Sequence, residues 1–593
     1  MAARAAALKA EDHPEEFMSG ARLILKALED QGVEVVFGYP GGAILPIYDA
    51  MVDYPVHHVL VRHEQGGAHA ADGYARASGR VGVALGTSGP GATNLVTGIA
   101  NAMLDSIPVV FITGQVPSRV LGTDAFQEAD IVGITMPITK HNVLVTRVED
   151  LAPALVEAFQ IARSGRPGPV LVDICKDVQQ ASIELRWPEA AESTRRRALP
   201  ALKRGDLRKA AELIAAAERP VILAGHGVIE SGATQVLQAF AEKTGAPVAL
   251  TLLGLGGFPR SHPLCLGMMG MHGEAYVNHA VQEADLLLAF GMRFDDRVTG
   301  NLKNYAPGSK KIHVEIDPSE VGKNVPVDVG IVGDLRQVLE ALLPAVEPNS
   351  HEAWLSKIEE GRRETTSRDI LHHESDGALY AAHVIHDVWR ATKGGAVVVS
   401  DVGQHQMFEA QYFPHEAPRT LLTSGGLGTM GFALPAAIGA KLARPEAEVW
   451  VIAGDGGFQM TQCELATLVQ EKLDVKIAVV DNGFLGMVRQ WQEFFYERRY
   501  AATPMLSPDF VKLAEAYGIP AHKVSTRAEV IPTVEAVRSR PGPALIHFVV
   551  QPEEAVYPMV PAGADLHAMI RRPKKAAAAP AAGSGASSAE VPA

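Results

Sequence analysis

The sequence predicts an α/β protein of three doubly wound parallel-sheet domains, and three observations lead to this prediction. The chain has 593 residues, which at about 150 residues per domain is enough for three or four domains with full hydrophobic cores. Short apolar runs rich in Val and Ile alternate with helical patterns, as expected for parallel sheets covered by helices. A Gly-rich turn, a small-residue helix and an apolar strand also occur in the same order over 86–114 and 424–456.

Eight apolar runs are predicted to be buried strands, because short and continuous Val/Ile-rich runs are typical of strands covered on both faces. The repeat predicts two related domains on either side of a third. Stretches without periodicity, 186–206 and 346–375, are predicted to be linkers. The predicted strands are 108–114, 168–174, 219–225, 284–291, 311–317, 395–401, 449–455 and 475–482.

The predicted domains therefore cover residues 16–185, 207–345 and 376–570. Residues 1–15 are rich in Ala and charged side chains, and 571–593 form a low-complexity tail. Neither terminal segment holds enough apolar residues for a core, so both are predicted to be disordered.

Composition and charge argue against several classes of protein. The formal net charge of −14 disfavours nucleic-acid binding, which needs a basic face. No run reaches 18 consecutive apolar residues, so no membrane span is predicted. The three cysteines fit neither a metal knuckle nor a disulfide framework, which favours buried thiols in a reducing compartment. Acidic residues near the start argue against a signal or transit peptide, and a cytoplasmic protein is expected.

Two strand ends carry residues suited to a metal ion and a diphosphate. The sequence Gly454–Gly457 closes one predicted strand, and Asp481–Gly483 closes the next. Ligands of open α/β sheets lie at the carboxyl ends of strands, where glycines and helix N-termini favour phosphate and carboxylate oxygens suit Mg²⁺. Each motif alone is more often a plain turn, because Asp-Gly and Asn-Gly are common turn dipeptides. Together, at the same end of consecutive strands, they favour a metal–diphosphate site.

Two common nucleotide-binding motifs are missing from the sequence. The pattern GxxxxGK[ST] does not occur, which argues against a P-loop nucleotidase. The strand at 219–225 is followed by GHGVIE (225–230), so the third glycine of the dinucleotide-binding fingerprint is missing.

The chain resembles the thiamine-diphosphate (ThDP) enzymes, in which a GDG sequence is followed by an Asn about 26 residues later, as Asn482 follows here. Within them it is similar to the catalytic subunits of the acetohydroxyacid synthase (acetolactate synthase) family, over residues 17–570. The motifs that carry this likeness are GYPGGAILPIYDA (38–50), RHEQGGAHAADGYARASG (62–79), GTDAFQEAD (122–130), GMRFDDRVTG (291–300), SDVGQHQM (400–407), SGGLGTMGFALPAAIGA (424–440) and LGMVRQWQ (485–492).

The resemblance implies a ThDP-dependent carboligase. Pyruvate would be decarboxylated on ThDP, and the hydroxyethyl carbanion would be ligated to a second pyruvate or to 2-ketobutyrate. The products would be 2-acetolactate and 2-aceto-2-hydroxybutyrate, at the first common step of valine, leucine and isoleucine biosynthesis. The three domains would then be, in chain order, a pyrimidine-binding, a central FAD-binding and a diphosphate-binding domain.

The resemblance also implies the residues that bind ThDP and Mg²⁺. In the family, the Glu at the position of Glu64 contacts the pyrimidine ring, and sharing a proton with the ring nitrogen favours the imino tautomer that forms the ylid. Mg²⁺ would be ligated by Asp455, Asn482 and the carbonyl of Phe484. The implied ThDP contacts are Glu64, Gly403, Gln404, His405, Gly428, Met430, Gly454, Asp455, Gly456, Gly457, Asn482, Gly486 and Met487.

Further residues follow from the resemblance. Gln127 and Lys176 join Glu64 in the implied catalytic set. The implied substrate-binding residues are Gly41, Phe126, Arg293 and Trp491, of which Arg293 suits a carboxylate and Trp491 would favour 2-ketobutyrate as acceptor. The implied FAD contacts are Gly225, Thr251, Leu252, Met271, His272, Gly273, Gly291, Arg293, Asp295, Arg297, Val298, Glu315, Ile316 and Asp334.

The sequence departs from the family at two places near these residues. Many ThDP enzymes have Asn-Asn where this chain has Asp481-Asn482, so Asp481 adds a negative charge near the implied metal site. Relatives usually have Pro where this chain has Cys175, directly before Lys176.

The implied assembly is a homodimer or homotetramer of catalytic subunits, because in the family the first and third domains face each other across a subunit interface. A small regulatory subunit is usual for the family. The alternatives are a flavin pyruvate oxidase, which shares the domains and both organic cofactors, and a non-catalytic paralogue. The segment GMRFDDRVTG argues against the oxidase, and the presence of Glu64, Asp455 and Asn482 argues against the paralogue.

Overall fold

The protein contains three parallel six-stranded sheets, each with buried apolar clusters on both faces. This confirms the predicted three-domain α/β fold, and all eight predicted strands are present. The predicted N-terminal segment 1–15, the start of the linker 186–206 and most of the tail 571–593 lie outside the described residues. The computed structural model describes residues 17–184, 199–372 and 377–573.

The first domain contains one six-stranded sheet and one antiparallel pair. Its strands are β1 (Met18–Ser19), β2 (Val35–Gly38), β3 (His57–Leu60), β4 (Gly82–Gly86), β5 (Val109–Gln115), β6 (His141–Val145), β7 (Val170–Cys175) and β8 (Ser182–Ile183). Strands β1 and β8 pair with each other, and the sheet has the order β3-β2-β4-β5-β7-β6. Its helices are α1 (Gly20–Asp30), α2 (Leu45–Met51), α3 (Glu64–Ser78), α4 (Pro90–Asn94), α5 (Val96–Asp105), α6 (Ile131–Thr135), α7 (Leu151–Arg163) and α8 (Lys176–Gln180).

The middle domain has the strand order of dinucleotide-binding sheets. Its strands are β9 (Pro220–Ala224), β10 (Val248–Leu250), β11 (Cys265–Met268), β12 (Leu286–Phe290), β13 (Lys310–Glu315) and β14 (Val329–Val332). The order β11-β10-β9-β12-β13-β14 reads 3-2-1-4-5-6 when the strands are counted within the domain. Its helices are α9 (Arg204–Ala216), α10 (His226–Glu230), α11 (Thr234–Thr244), α12 (Ala275–Glu283), α13 (Asp296–Thr299), α14 (Leu335–Leu342) and α15 (Glu352–Thr366).

The third domain repeats the topology of the first. Its strands are β15 (Val397–Ser400), β16 (Leu421–Thr423), β17 (Val449–Gly454), β18 (Val475–Asp481), β19 (Ala521–Val524) and β20 (Ala544–Val549), and its order is β16-β15-β17-β18-β20-β19. Counted within each six-stranded sheet, both orders read 2-1-3-4-6-5, which agrees with two related domains flanking a third. Its helices are α16 (Ala381–Thr392), α17 (Gln404–Tyr412), α18 (Ala433–Ala443), α19 (Asp455–Thr461), α20 (Leu465–Gln470), α21 (Gly486–Phe495), α22 (Phe510–Ala516) and α23 (Arg527–Arg538).

Helices α3 and α18 join the first and third domains at very short range. A Cβ atom on Gly73 would lie 2.1 Å from the carbonyl oxygen of Ala436, and one on Gly439 would lie 1.8 Å from that of Ala70. Only glycine leaves room for these backbones, so the helices pack closely. The buried residues of both domains therefore form one continuous core across this contact.

Part of the predicted second linker is packed against the middle domain. Helix α15 lies within 346–375, and its Trp354 and Ile358 are buried in the middle-domain core. The indole N–H of Trp354 donates to the carbonyl of Pro220 at 3.1 Å. Among the helices in the described ranges, none is long and apolar enough to cross a membrane.

Candidate active site

A cavity opens at the carboxyl edge of the third sheet, where β17 and β18 end. Gly428 lies beside this cavity, because a Cβ on it would be 3.9 Å from Cγ1 of the lining residue Val402. The lining contains every other ThDP and metal contact predicted for this domain, namely Gly403, Gln404, His405, Met430, Gly454, Asp455, Gly456, Gly457, Asn482, Phe484, Gly486 and Met487.

Three helices begin at this cavity. Helix α17 starts at Gln404, α19 at Asp455 and α21 at Gly486, and no side chain caps the first turn of any of them. The free N–H groups of a first turn carry partial positive charge and bind anions. The glycines at these starts also leave the backbone accessible. The cavity therefore fits a diphosphate.

The two strand-end motifs bring an oxygen-only set of ligands together. Asp455 is 2% exposed, and burial together with the like charge of Asp481 raises the pKa of Asp455 to about 7. The side-chain oxygen of Asn482 accepts from the N–H of Phe484 at 3.0 Å, and its amide group donates to Gln404 at 3.2 Å. A carboxylate, an amide oxygen and a main-chain carbonyl suit Mg²⁺.

The described residues contain no group of three or more His, Cys, Asp or Glu side chains arranged to hold a metal.

Asp481 lies in a polar cluster that the sequence analysis did not find. Nε2 of His547 donates to its Oδ2 at 2.8 Å, and the N–H of Gly483 donates to its Oδ1 at 3.0 Å. The hydroxyl of Ser507 lies 3.2 Å from Oδ2 of Asp455 and 3.2 Å from Oδ1 of Asp481. Burial acts against the ionised form, but the hydrogen bond from His547 leaves the pKa of Asp481 below its usual value. Ser507 and His547 are 26 and 66 residues from Asp481, so no local pattern connects them.

A second group of predicted residues gathers around Glu64 in the first domain. Glu64 begins α3, is 9% exposed, and its Oε2 accepts from the amide group of Asn94 at 2.9 Å. A Cβ on Gly91 would lie 3.2 Å from Oε1 of Glu64 and 2.7 Å from the methyl group of Thr87, and a Cβ on Gly41 would lie 2.4 Å from that methyl group. The predicted Gly41 and Glu64 thus border the same small group of residues.

The loop after β5 brings Gln127 to the same region. A Cβ on Gly89 would lie 3.0 Å from Cα of Gln127, and Gln127 has a left-handed φ of 58°. Its neighbour Phe126 is 88% exposed. Lys176 begins α8 directly after Cys175, whose buried thiol has a pKa raised to about 12.

The first-domain group is separate from the third-domain cavity. The predicted residues Gly41, Glu64, Phe126, Gln127 and Lys176 are all absent from the lining of that cavity. Within a single chain, the predicted residues therefore form two separate groups, one around Glu64 and one around Asp455, which are called half-sites below.

Side chains of the first domain hold the loop 424–429, which leads to Met430. Both oxygens of Asp105 accept from this loop, from the N–H of Gly425 at 3.0 Å and of Gly426 at 2.6 Å. The Asn101 oxygen accepts from the hydroxyl of Ser424 at 2.6 Å and from that of Thr429 at 3.0 Å. This contact was not predicted from the sequence, although Asn101 and Asp105 are four residues apart and so share a face of α5.

At the carboxyl edge of the middle sheet, the predicted FAD contacts follow all six strands. The strand order reverses between β9 and β12, the position where such sheets bind dinucleotides. There a Cβ on Gly225 would lie 2.3 Å from the carbonyl oxygen of Gly291. The other predicted contacts at this edge are Thr251, Leu252, Met271, His272, Gly273, Arg293, Asp295, Arg297, Val298, Glu315, Ile316 and Asp334.

Several predicted FAD contacts also have a local structural role. Thr251, Asp295 and Asp334 each accept a hydrogen bond from an N–H of the helical turn that follows them. Burial raises the pKa of Glu315 to about 7 and lowers that of His272 to about 4.

The two predicted acceptor residues lie on different domains. The guanidinium group of Arg293 is 30% exposed and lies 3.9 Å from Oδ2 of Asp295. Trp491, on α21, packs edge-on against Phe495 with 5.4 Å between ring centroids. Neither Arg293 nor Trp491 lines the third-domain cavity.

Comparison with known proteins assigns the family. Residues 18–134, 207–342 and 401–548 match the N-terminal TPP binding, central and C-terminal TPP binding domains of thiamine pyrophosphate enzymes. The acetolactate synthase large subunit of Corynebacterium glutamicum is 50% identical over 561 residues, which cover 92% of this chain and 89% of the relative. The large subunit of acetolactate synthase isozyme 2 of Escherichia coli is 46% identical over 558 residues, covering 94% and 100%.

The chain belongs to the acetolactate synthase family of thiamine pyrophosphate enzymes. The family resemblance carried by the sequence motifs is thereby confirmed. In this acetolactate synthase family member, the two TPP binding segments fall on the first and third domains, which hold the two half-sites. The central segment falls on the sheet with the dinucleotide-binding strand order.

Proposed function

We propose that the chain is the catalytic subunit of an acetolactate synthase. It would convert two pyruvates to 2-acetolactate and CO₂, or pyruvate and 2-ketobutyrate to 2-aceto-2-hydroxybutyrate and CO₂, at the first common step of valine, leucine and isoleucine biosynthesis. The observation that carries this proposal is the third-domain cavity, whose uncapped helix starts and oxygen ligands suit a diphosphate with Mg²⁺. It lies in a chain about half identical to acetolactate synthases.

The third domain would hold the diphosphate end of ThDP. Main-chain N–H groups at the starts of α17, α19 and α21 would bind the phosphate oxygens, and Asp455, Asn482 and the carbonyl of Phe484 would bind Mg²⁺. When bound, ThDP supplies the carbon nucleophile and the electron sink that decarboxylation needs.

Glu64 would act on the proton of the pyrimidine ring nitrogen. Its carboxylate is nearly buried, and Asn94 fixes one of its oxygens, while Gly91, which has no side chain, lies beside the other. A carboxylate held in this way can share a proton with a ring nitrogen and so change the basicity of the adjacent amino group. Gly428 and Met430 would contact the rings from the third domain.

The remaining predicted residues would bind the 2-ketoacids. The planar guanidinium of Arg293 suits the acceptor carboxylate, and the face of Trp491 suits the ethyl group of 2-ketobutyrate. Gly41, Phe126, Gln127 and Lys176 would line the pocket around the reacting carbons, with Gln127 and Lys176 in contact with the substrate.

A second copy of the chain would complete the site. Large apolar side chains beside both half-sites are exposed, including Phe126 at 88%, Met460 at 58% and Leu506 at 96%. An exposed apolar surface of this kind favours a protein interface, and a two-fold axis would bring each Glu64 half-site to the partner's Asp455 half-site. A dimer, or a tetramer made of two dimers, follows.

We also propose a small regulatory subunit as partner, because the relatives from C. glutamicum and E. coli are named large subunits. The location proposed for the enzyme is the cytoplasm.

FAD would bind at the carboxyl edge of the middle sheet without net redox turnover. The crevice between β9 and β12 and the close approach of Gly225 to Gly291 support this proposal. The rival function, a flavin pyruvate oxidase, would use the same crevice for an electron acceptor.

The purified full chain with pyruvate, ThDP, Mg²⁺ and FAD distinguishes the two functions when dissolved oxygen and products are followed together. Acetolactate with little oxygen uptake supports the proposal. Acetate or acetyl phosphate with stoichiometric oxygen uptake contradicts it. If the chain alone shows no turnover, the same assay is repeated with a small subunit added.

A further inference from the structure

Asp481 places a second carboxylate next to the predicted metal ligand Asp455, where many ThDP enzymes have an uncharged Asn. Both side chains are mostly buried, with exposed side-chain fractions of 12% for Asp481 and 2% for the residue Asp455. Two carboxylates at the ends of neighbouring strands repel each other, and burial strengthens this repulsion. Hydrogen-bond donors around Asp481 are therefore needed to keep its carboxylate in one orientation.

The structure supplies these donors from two separate parts of the chain. His547, on β20, donates to one oxygen of Asp481, and the N–H of Gly483 donates to the other. His547 is only 7% exposed, and its ring packs edge-on against Phe510 at 5.1 Å. Packing against Phe510 therefore holds the imidazole ring in place beside the carboxylate of Asp481.

The contact with Gly483 connects Asp481 to the predicted metal ligands. Gly483 lies between Asn482 and Phe484, and its φ of +68° makes the turn a position for glycine. The carboxylate of Asp481 holds the N–H at the centre of this turn. A rotated Asp481 would release that N–H, and Asn482 and Phe484 would lose their fixed positions.

We propose that His547 is a positioning residue of the metal site, which fixes the turn 482–484 by holding Asp481. This inference rests on the proposed function. Removal of residues that orient metal ligands without touching the ion generally changes metal affinity about 10–100-fold, and His547 would act in this way through Asp481 and the turn 482–484.

The test measures Mg²⁺ affinity by calorimetric titration of the full chain in the presence of ThDP, without reference to activity. His547→Phe keeps the ring packing on Phe510 but removes the donor, and we expect the Mg²⁺ affinity to fall at least about tenfold. His547→Gln places an amide donor near the same position and should recover most of the affinity.

A double variant separates positioning from a merely structural role. In an Asp481→Asn background the partner is neutral, so loss of the His547 donor leaves no unpaired buried charge. His547→Phe should therefore cost little additional affinity in that background. The matched control is His415→Phe, which removes a buried histidine–carboxylate pair of the same domain, 2.7 Å from Glu409, and should leave Mg²⁺ affinity within about threefold, since it lies outside the metal surroundings.

Equal losses of Mg²⁺ affinity for His547→Phe in the two backgrounds would overturn the inference, and so would an unchanged Mg²⁺ affinity in the single variant. In both cases, Mg²⁺-dependent binding of ThDP by the wild-type chain would leave the proposed function intact. A wild-type chain that binds ThDP without any dependence on Mg²⁺ would overturn both.

Discussion

Two residues that are distant in sequence, Asn94 and Gly91, lie against the carboxylate of Glu64. It begins α3, and Asn94 on α4 reaches back to hold one of its oxygens at 2.9 Å. An acid at the start of a helix is also favoured by the helix dipole, so position alone does not reveal a catalytic role. The orientation by Asn94 and the glycine at position 91 are what distinguish this carboxylate.

Glu64→Gln should keep ThDP binding and slow activation of the cofactor. The amide matches the carboxylate in size and can still accept from Asn94, but it cannot take up a proton. Hydrogen–deuterium exchange at the thiazolium carbon of bound ThDP should slow at least about a hundredfold, the usual contribution of an acid–base group. The control is Glu34→Gln, which removes an exposed acid of the same domain paired with Arg80. Unchanged exchange in Glu64→Gln would show that this role is wrong.

Trp491→Leu should change the choice of acceptor more than the overall rate. Leu makes less contact than Trp with the extra methylene group of 2-ketobutyrate, while pyruvate has no such group to lose contact. The preference for 2-ketobutyrate should therefore fall about tenfold, the value of one well-bound methylene group. The measurement is the product ratio from a mixture of pyruvate and 2-ketobutyrate. Trp389→Leu, which changes a second tryptophan of the same domain on α16 with no predicted part in binding substrate, is the control. A constant product ratio in Trp491→Leu would refute the assignment.

The strands could be predicted from the sequence, and the contacts between helices could not. Strands such as β17 and β18 are continuous apolar runs followed by Gly and Asp, so the sequence locates both the strand and the site at its end. The hydrogen bonds between the loop 424–429 and the side chains of Asn101 and Asp105 join residues more than 300 positions apart. Such contacts depend on how the domains pack and leave only a weak local pattern.

The contact between α3 and α18 depends on glycine. A methyl group on Gly439 would have to displace the backbone at Ala70, because the gap is only 1.8 Å. Gly439→Ala should destabilise the protein by about 1–3 kcal/mol or more, as overpacking does, and lower the midpoint of thermal unfolding. Gly205→Ala is the matched control, because this exposed helical glycine has open space around its Cβ position, and the change should stabilise by about 0.4–1 kcal/mol. Equal midpoints for the two variants would contradict this packing argument.

The internal repeat in the sequence corresponds to two six-stranded sheets with the same topology. The repeat predicted the domain arrangement, since it reflects local patterns that occur twice. The close packing of α3 against α18 joins the first and third domains in one core. The sequence places Glu64 and Asp455 in different domains, and the structure shows that the third-domain cavity does not include Glu64.

The most direct test of a site shared between two subunits is complementation between two inactive variants, Glu64→Gln and Asp455→Asn. When the two are mixed under conditions that exchange subunits, a mixed dimer contains one site with both wild-type residues. Random pairing should restore acetolactate formation at about a quarter of the sites, given two-fold symmetry. The control mixes Glu64→Gln with the double variant, in which no chain supplies Glu64. We expect acetolactate at about this level in the first mixture alone. If subunit exchange is verified and the first mixture recovers no activity, the site is not shared between two subunits.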